Sequence, residues 1–64
     1  MRVLITGAAG VLGRLVTGLL EARGGHRLRL TDMAALDTPH EFLQADLSAS
    51  DQVRGLCAGV DQVL

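Results

Sequence analysis

The 64-residue chain contains no lysine, no tyrosine and no tryptophan. Lacking lysine, it cannot carry a Walker-type phosphate loop, which requires that residue after its last glycine. Lacking tyrosine and tryptophan, it has few flat rings on which bases stack. Six arginines against seven acids give a net charge of −1 and no basic stripe, so nucleic acid is not an expected partner. The one cysteine, Cys57, cannot close an internal disulfide, and no His/Cys cluster has the spacing of a metal site. A single free thiol suits a reducing, cytoplasmic compartment. No run approaches the ~18 uninterrupted apolar residues of a membrane span. The apolar start MRVLITGAAGVLGRLVTGLL does not read as a signal peptide, because Thr6, the glycines and Arg14 interrupt it and an amphipathic pattern follows.

What the chain does have is apolar residues, 48% of the total. A chain of this size buries roughly 60% of its unfolded surface, and small domains usually need a disulfide or metal to hold them. The last residues, GVDQVL, form an apolar run with no turn signal after it. The expectation is therefore an N-terminal piece of a larger domain.

Periodicity divides the chain into six elements. Arg2 to Thr6 contains the continuous β-favouring run Val3, Leu4, Ile5, which suits a strand covered on both faces. From Val11 to Arg23 the period becomes helical. Val11, Leu15 and Leu19 make one column, Leu12, Val16 and Leu20 the next, and together they predict one broad apolar face. Gly24 and Gly25 stand where a left-handed C-terminal cap is expected. Arg27 to Thr31 alternates and reads as a second strand, less deeply buried than the first. Asp32 to His40 reads as a loop, and Glu41 to Ala45 as a short third strand around Phe42 and Leu43. Ser48 with Asp51 resembles a capping box. A helix follows with Val53, Leu56, Cys57 and Val60 on its apolar face; this places Cys57 as a core thiol. Gly59 stops that helix and Val60 to Leu64 starts a fourth strand. Strands alternating with helices imply a parallel sheet with right-handed crossovers. The predicted class is α/β, the N-terminal half of a Rossmann doubly wound parallel sheet in the order β-α-β-β-α-β.

Three glycines, Gly7, Gly10 and Gly13, recur at every third position between the first strand and the first helix. The first turn of that helix has unpaired N–H groups and the positive end of the helix dipole, and an anion placed there meets donors already aimed at it. Gly7 suits a tight turn, Gly10 lets the main chain approach a pyrophosphate, and Gly13 lets helix and strand pack closely. On its own, such a triplet also fits a turn that serves packing only. Asp32, 19 residues past Gly13 and just beyond the second predicted strand, adds the expected acid. A carboxylate there can accept both hydrogen bonds from an adenosine ribose diol and repel a 2′-phosphate, which favours NAD over NADP. Met33 stands next, where a 2′-phosphate would want Arg or Lys. Arg14 reads as a solvated helix residue.

Thr6-Gly7-Ala8-Ala9-Gly10-Val11-Leu12-Gly13 is similar to the Thr-Gly-x-x-Gly-x-x-Gly fingerprint of the extended short-chain dehydrogenases/reductases, the NAD-dependent epimerase/dehydratase group. The resemblance extends through Asp32 and through Asp46-Leu47, which looks like the acid-plus-aliphatic pair lying against adenine, to the start of the fourth strand. ITGAAGVLGR and the short loop after Asp32 look most like the uronate dehydrogenases of that group. The resemblance implies NAD as cofactor, contacted by Gly7, Ala9, Gly10, Val11, Leu12, Gly13, Asp32, Met33, Asp46 and Leu47. It also implies hydride transfer between NAD and a sugar, sugar acid or nucleotide-sugar, in a protein that can be a homo-oligomer. The alternatives are a nucleotide-sugar epimerase or dehydratase and a non-catalytic dinucleotide-sensing regulator of the same fold. The group's Tyr-x-x-x-Lys acid/base pair has no counterpart in these residues, so no catalytic residue is assigned and the 64 residues alone are expected to be inactive. His26 and His40 read as solvated loop residues.

Overall fold

A computed structural model describes residues 1–64. Strand β1 spans Arg2–Ile5, helix α1 Val11–Arg23, β2 Arg27–Asp32, β3 Glu41–Gln44, α2 Ser50–Cys57 and β4 Gln62–Val63. All four strands pair in parallel in the order β3-β2-β1-β4. The chain steps outward from β1 to β2 to β3, then returns to the other side of β1. This reversal at β1 opens a crevice at the carboxyl ends of the strands, where open α/β sheets bind ligands.

Alternation along the strands separates two faces. Val3 and Ile5 of β1 lie beside Leu28 and Leu30 of β2. With Ala8 they form the core, closed by Val16 and Leu20 of α1 together with Leu36 and Phe42. Leu4, Arg29 and Thr31 point to the opposite face, where α2 sits. There, Arg29 Nη1 donates to the carbonyls of Leu56 at 2.7 Å and Ala58 at 2.9 Å, and Nε reaches Glu41 on β3. One guanidinium thus ties the C-terminal end of α2 to two strands. β2 is as closed as β1 at Leu28, Leu30 and Thr31, contrary to the shallower burial expected from its alternation. The reason is its position between β1 and β3.

Other expectations are corrected in the helices. The buried stripe of α1 is Gly13, Val16, Thr17 and Leu20: Val16 and Leu20 of the second apolar column turn inward as expected, and the first column does not. Val11, Leu12, Leu15 and Leu19 are 60% exposed or more. The helix is turned by its closest contact: at Gly13 its backbone lies against that of the preceding loop, and only a residue without a side chain fits there. Thr17 is accommodated on the buried stripe because its hydroxyl donates to the Gly13 carbonyl at 2.8 Å. In α2 the buried residue is Leu56, Val53 is half-buried, and Cys57 is exposed rather than in the core. The N-cap of α2 is Ala49 without a side-chain cap, so the Ser48–Asp51 capping box is not formed. The fourth strand is confined to Gln62–Val63. Gly24, Gly25 and Gly59 adopt positive φ, as the turns after the two helices require.

Candidate functional site

Four backbone segments meet at the carboxyl edge of the sheet: the glycine loop after β1, the end of β2 at Asp32, the segment after β3 containing Asp46, and Leu64. The loop is rigidly laid down. Gly7 turns the chain with φ +61°. The N–H of Ala8 donates to the Thr31 carbonyl at 3.1 Å, and the N–H of Gly10 to the Gly7 carbonyl at 3.1 Å. Thr6 donates through both its N–H and its hydroxyl to the Leu64 carbonyl, at 2.9 and 2.8 Å.

The three glycines differ in what confines them. A Cβ on Gly13 would lie 2.3 Å from the Gly7 carbonyl oxygen and 2.7 Å from Ala8 Cα. This is a steric demand of the protein itself, and it concerns helix against loop rather than helix against strand. Gly10, the N-cap of α1, has extended angles (φ −78°, ψ 171°) that any residue can adopt. A Cβ there would make only an ordinary 3.4 Å contact with the Gly7 carbonyl oxygen. The fold therefore does not require glycine at this position, and its bare, exposed backbone faces outward. Immediately after it, the N–H groups of Val11, Leu12 and Gly13 find no acceptor in the protein. The next donor, Arg14 N–H, is the first to close the helical ladder, onto the Gly10 carbonyl at 3.0 Å. Three unsatisfied donors at the positive end of a 13-residue helix can receive an anion.

Asp32 is the last residue of β2 rather than a loop residue beyond it. Its Oδ2 accepts the N–H of Ala9 at 3.0 Å and its Oδ1 the N–H of Ala34 at 3.0 Å. These donors, Ala34 first and Ala9 second, hold the carboxyl below its ordinary range. Asp32 thus braces the middle of the glycine loop, a contact that spacing alone does not disclose. Each oxygen keeps acceptor capacity for a further donor such as a hydroxyl.

Asp46 is exposed and likewise acidified, first by the Ser48 N–H and then by the Ser48 hydroxyl. Both donate to the same oxygen, Oδ1, at 2.9 and 2.8 Å. The N–H of Asp46 in turn donates to Gln52 Oε1 of α2 at 2.7 Å. Gly7, Asp32, Met33, Ala45, Asp46 and Leu47 line one cavity of about 270 Å³. Five of the residues singled out from the sequence are therefore brought to one recess, with Ala45 as the addition. Gly7 joins this recess to the helix terminus that carries Gly10, Val11, Leu12 and Gly13. Ala9, half-buried, reaches the recess through its bond to Asp32. Ser48 and Gln52 were not singled out as site residues; the Asp-x-Ser spacing of an Asx turn was the signal available for the first.

Of the remaining polar groups, His26 is exposed, as expected. His40 is half-buried instead of solvated, its Nε2 lying 2.9 Å from Glu21 Oε1 on α1. No group of three or more His, Cys, Asp or Glu side chains is placed to hold a metal ion, and no helix is long and apolar enough to cross a membrane.

The pattern and the geometry have relatives. The family model of the NAD dependent epimerase/dehydratase family matches residues 3–64. A uronate dehydrogenase of Pseudomonas syringae pv. tomato is 42% identical over 67 residues, a match that covers 98% of this chain and 24% of the relative. The crystal structure of a mutant uronate dehydrogenase from Agrobacterium tumefaciens, complexed with NAD, superposes with a TM-score of 0.86 at 38% identity, over 97% of this chain and 24% of that one. A short-chain dehydrogenase/reductase superfamily protein from the same organism, with bound NAD, superposes with a TM-score of 0.86 at 28% identity, over 98% of this chain and 19% of that one. The 64 residues thus span about a quarter of the length of the uronate dehydrogenases they match.

Proposed function

Because this chain belongs to the NAD dependent epimerase/dehydratase family, we propose that it is the N-terminal, cofactor-holding part of a longer NAD-dependent oxidoreductase whose substrate is a sugar acid or a related sugar. The observation that carries this reading is Gly10, a position the fold leaves free to hold a side chain and that nonetheless has none, set beside three unpaired N–H groups and the recess of Asp32 and Asp46. A pyrophosphate rests on the Val11, Leu12 and Gly13 amides, an adenosine ribose hydrogen-bonds to Asp32, and adenine lies between Met33 and Leu47 within reach of Asp46. Asp32 acts in two ways. It accepts from the ribose hydroxyls, and it fixes Ala9 so that the loop is already shaped when the cofactor arrives.

NAD supplies the hydride-accepting nicotinamide; these residues bind and orient its other end. In this reading the proton transfer belongs to residues outside this segment, because the Tyr-x-x-x-Lys pair has no counterpart in it. The sugar-acid substrate is supported by the name shared by the Pseudomonas and Agrobacterium relatives, uronate dehydrogenase. An epimerase or dehydratase, which the family also includes, is the second reading.

Calorimetric titration of the full chain with NAD and NADP tests the site. Asp32→Ala weakens NAD by tenfold or more and weakens NADP much less, since the 2′-phosphate never had a productive contact with the carboxylate. Equal losses for the two cofactors contradict the ribose assignment and leave Asp32 only its role as a brace. Gly10→Val is expected to keep the fold, because its extended backbone angles are open to any residue and its position is exposed, and to abolish NAD binding. Unchanged affinity in a folded Gly10→Val protein removes the phosphate loop from the proposal.

A further inference from the structure

The segment after β3 is organised around Asp46 in a way that distinguishes its two carboxylate oxygens. Oδ1 takes both donors of Ser48, the N–H at 2.9 Å and the hydroxyl at 2.8 Å. The main chain of Asp46 is held from both directions as well. Its carbonyl accepts the Ala49 N–H at 3.1 Å and its N–H donates to Gln52 Oε1 at 2.7 Å. Oδ2 takes no donor from the protein. An exposed aspartate normally exchanges its oxygens by rotating about the Cα–Cβ and Cβ–Cγ bonds. Here rotation breaks two hydrogen bonds to an ionised acceptor, which are the stronger kind. The Ser48 hydroxyl gives its one proton to this carboxylate and does not cap α2, whose N-cap is Ala49.

We propose that Ser48 and Gln52 are positioning residues that hold Asp46 in one orientation, leaving Oδ2 as a fixed acceptor that selects a base bearing an exocyclic amine. This rests on the reading of the recess as the adenine subsite. The selected base is adenine as opposed to a base with a carbonyl at the same position. A carbonyl oxygen there meets a carboxylate oxygen, and two acceptors face each other without a proton between them. A rigid Asp46 makes that mismatch costly. A loosened one turns away and tolerates it.

The probe pair is NAD and nicotinamide hypoxanthine dinucleotide, which differ at that one substituent. The readout is the ratio of their dissociation constants on the full chain, measured by titration calorimetry. The ratio compares two ligands on the same molecules, so a general loss of stability leaves it unmoved. The wild-type protein prefers NAD by about tenfold, and Asp46→Ala abolishes the preference. Ser48→Ala brings the ratio to within about threefold of unity and Ser48→Thr, which keeps the hydroxyl, restores it. Gln52→Ala lowers it part of the way. Ser48→Cys nearly preserves the volume but replaces the hydroxyl with a weak donor, so it gives the same reading if Ser48→Ala does not fold. A wild-type ratio near one overturns the adenine reading of Asp46 and the positioning role with it. A wild-type preference that is lost in Asp46→Ala but intact in the Ser48→Ala, Ser48→Cys and Gln52→Ala proteins overturns the positioning role alone.

Discussion

Two glycines on the same helix should respond to alanine in opposite directions. Alanine is favoured over glycine in a helix interior by about 1 kcal/mol, and part of that gain comes from restricting the unfolded chain. At Gly18 nothing lies within 4 Å of the added Cβ, so Gly18→Ala is expected to stabilise the protein by about 0.5–1 kcal/mol. At Gly13 the same methyl group would lie 2.3 Å from the Gly7 oxygen, 2.7 Å from Ala8 Cα and 2.9 Å from the Gly7 carbonyl carbon. All three are backbone atoms, so no side chain can swing away. Restoring ordinary contact requires helix and loop to part by about 1 Å, in a region held by the Ala8–Thr31 and Ala9–Asp32 hydrogen bonds. Overpacking of this kind typically costs about 1–3 kcal/mol, which outweighs the helical gain. A chain of this length is expected to have only about 3–10 kcal/mol of stability in all. Urea denaturation of the full chain followed by circular dichroism separates the two variants. Gly13→Ala lowers the midpoint and Gly18→Ala raises it. The same parting displaces the Val11 and Leu12 amides, so Gly13→Ala also loses NAD affinity while Gly18→Ala keeps it. A Gly13→Ala protein as stable as the wild type with unaltered affinity would refute the claim that the helix is set by backbone contact at this point.

Asp32 and Asp46 are held below their ordinary carboxyl value of 3.8 by backbone and hydroxyl donors. A depressed folded-state value contributes stability that is present above the unfolded value and lost as pH falls through the folded one. Denaturant midpoints are thus expected to be flat above about pH 5 and to decline below about pH 4; Asp32→Asn removes part of that decline, and an identical acid slope in the variant counts against the brace. Arg29→Met should loosen the end of α2, because the carbonyls of Leu56 and Ala58 and the carboxylate of Glu41 lose their shared donor. Hydrogen bonds to a charged group are worth about 1.5–3 kcal/mol. Faster amide hydrogen exchange confined to α2 is the expected outcome, and unchanged exchange there shows that the guanidinium is not the clamp.

The local signals were written plainly in the residues. The run Val3-Leu4-Ile5 forms a strand, the 3.6-residue period of Val11 to Arg23 forms a helix with those bounds, and the glycine triplet marks the turn between them. These depend on neighbours in sequence, and so does the choice of Gly7 for a positive φ. Asp32 and Asp46 were legible as acids at the right distances, since strand lengths fix how far along the chain the carboxyl edge recurs. The face that α1 buries was not legible. Counting apolar residues pointed to Val11, Leu15 and Leu19, whereas the single backbone contact at Gly13 turns those residues outward and Thr17 inward. Ser48 carried the pattern of a helix cap, and only the chain path after β3 gives its hydroxyl to Asp46 instead. His40 looked solvated because its partner Glu21 is 19 residues away and is brought close by packing of the loop on α1.

The amino-acid order by itself determined which segments are strands and helices and where the side-chain-free bend lies, because backbone sterics and hydrophobic period act over a few residues. Tertiary structure alone decided the bond from Ala9 to Asp32 across 23 positions. It alone decided which oxygen of Asp46 stays free. Such choices belong to groups distant in sequence, and they are settled when the sheet brings those groups within hydrogen-bonding reach.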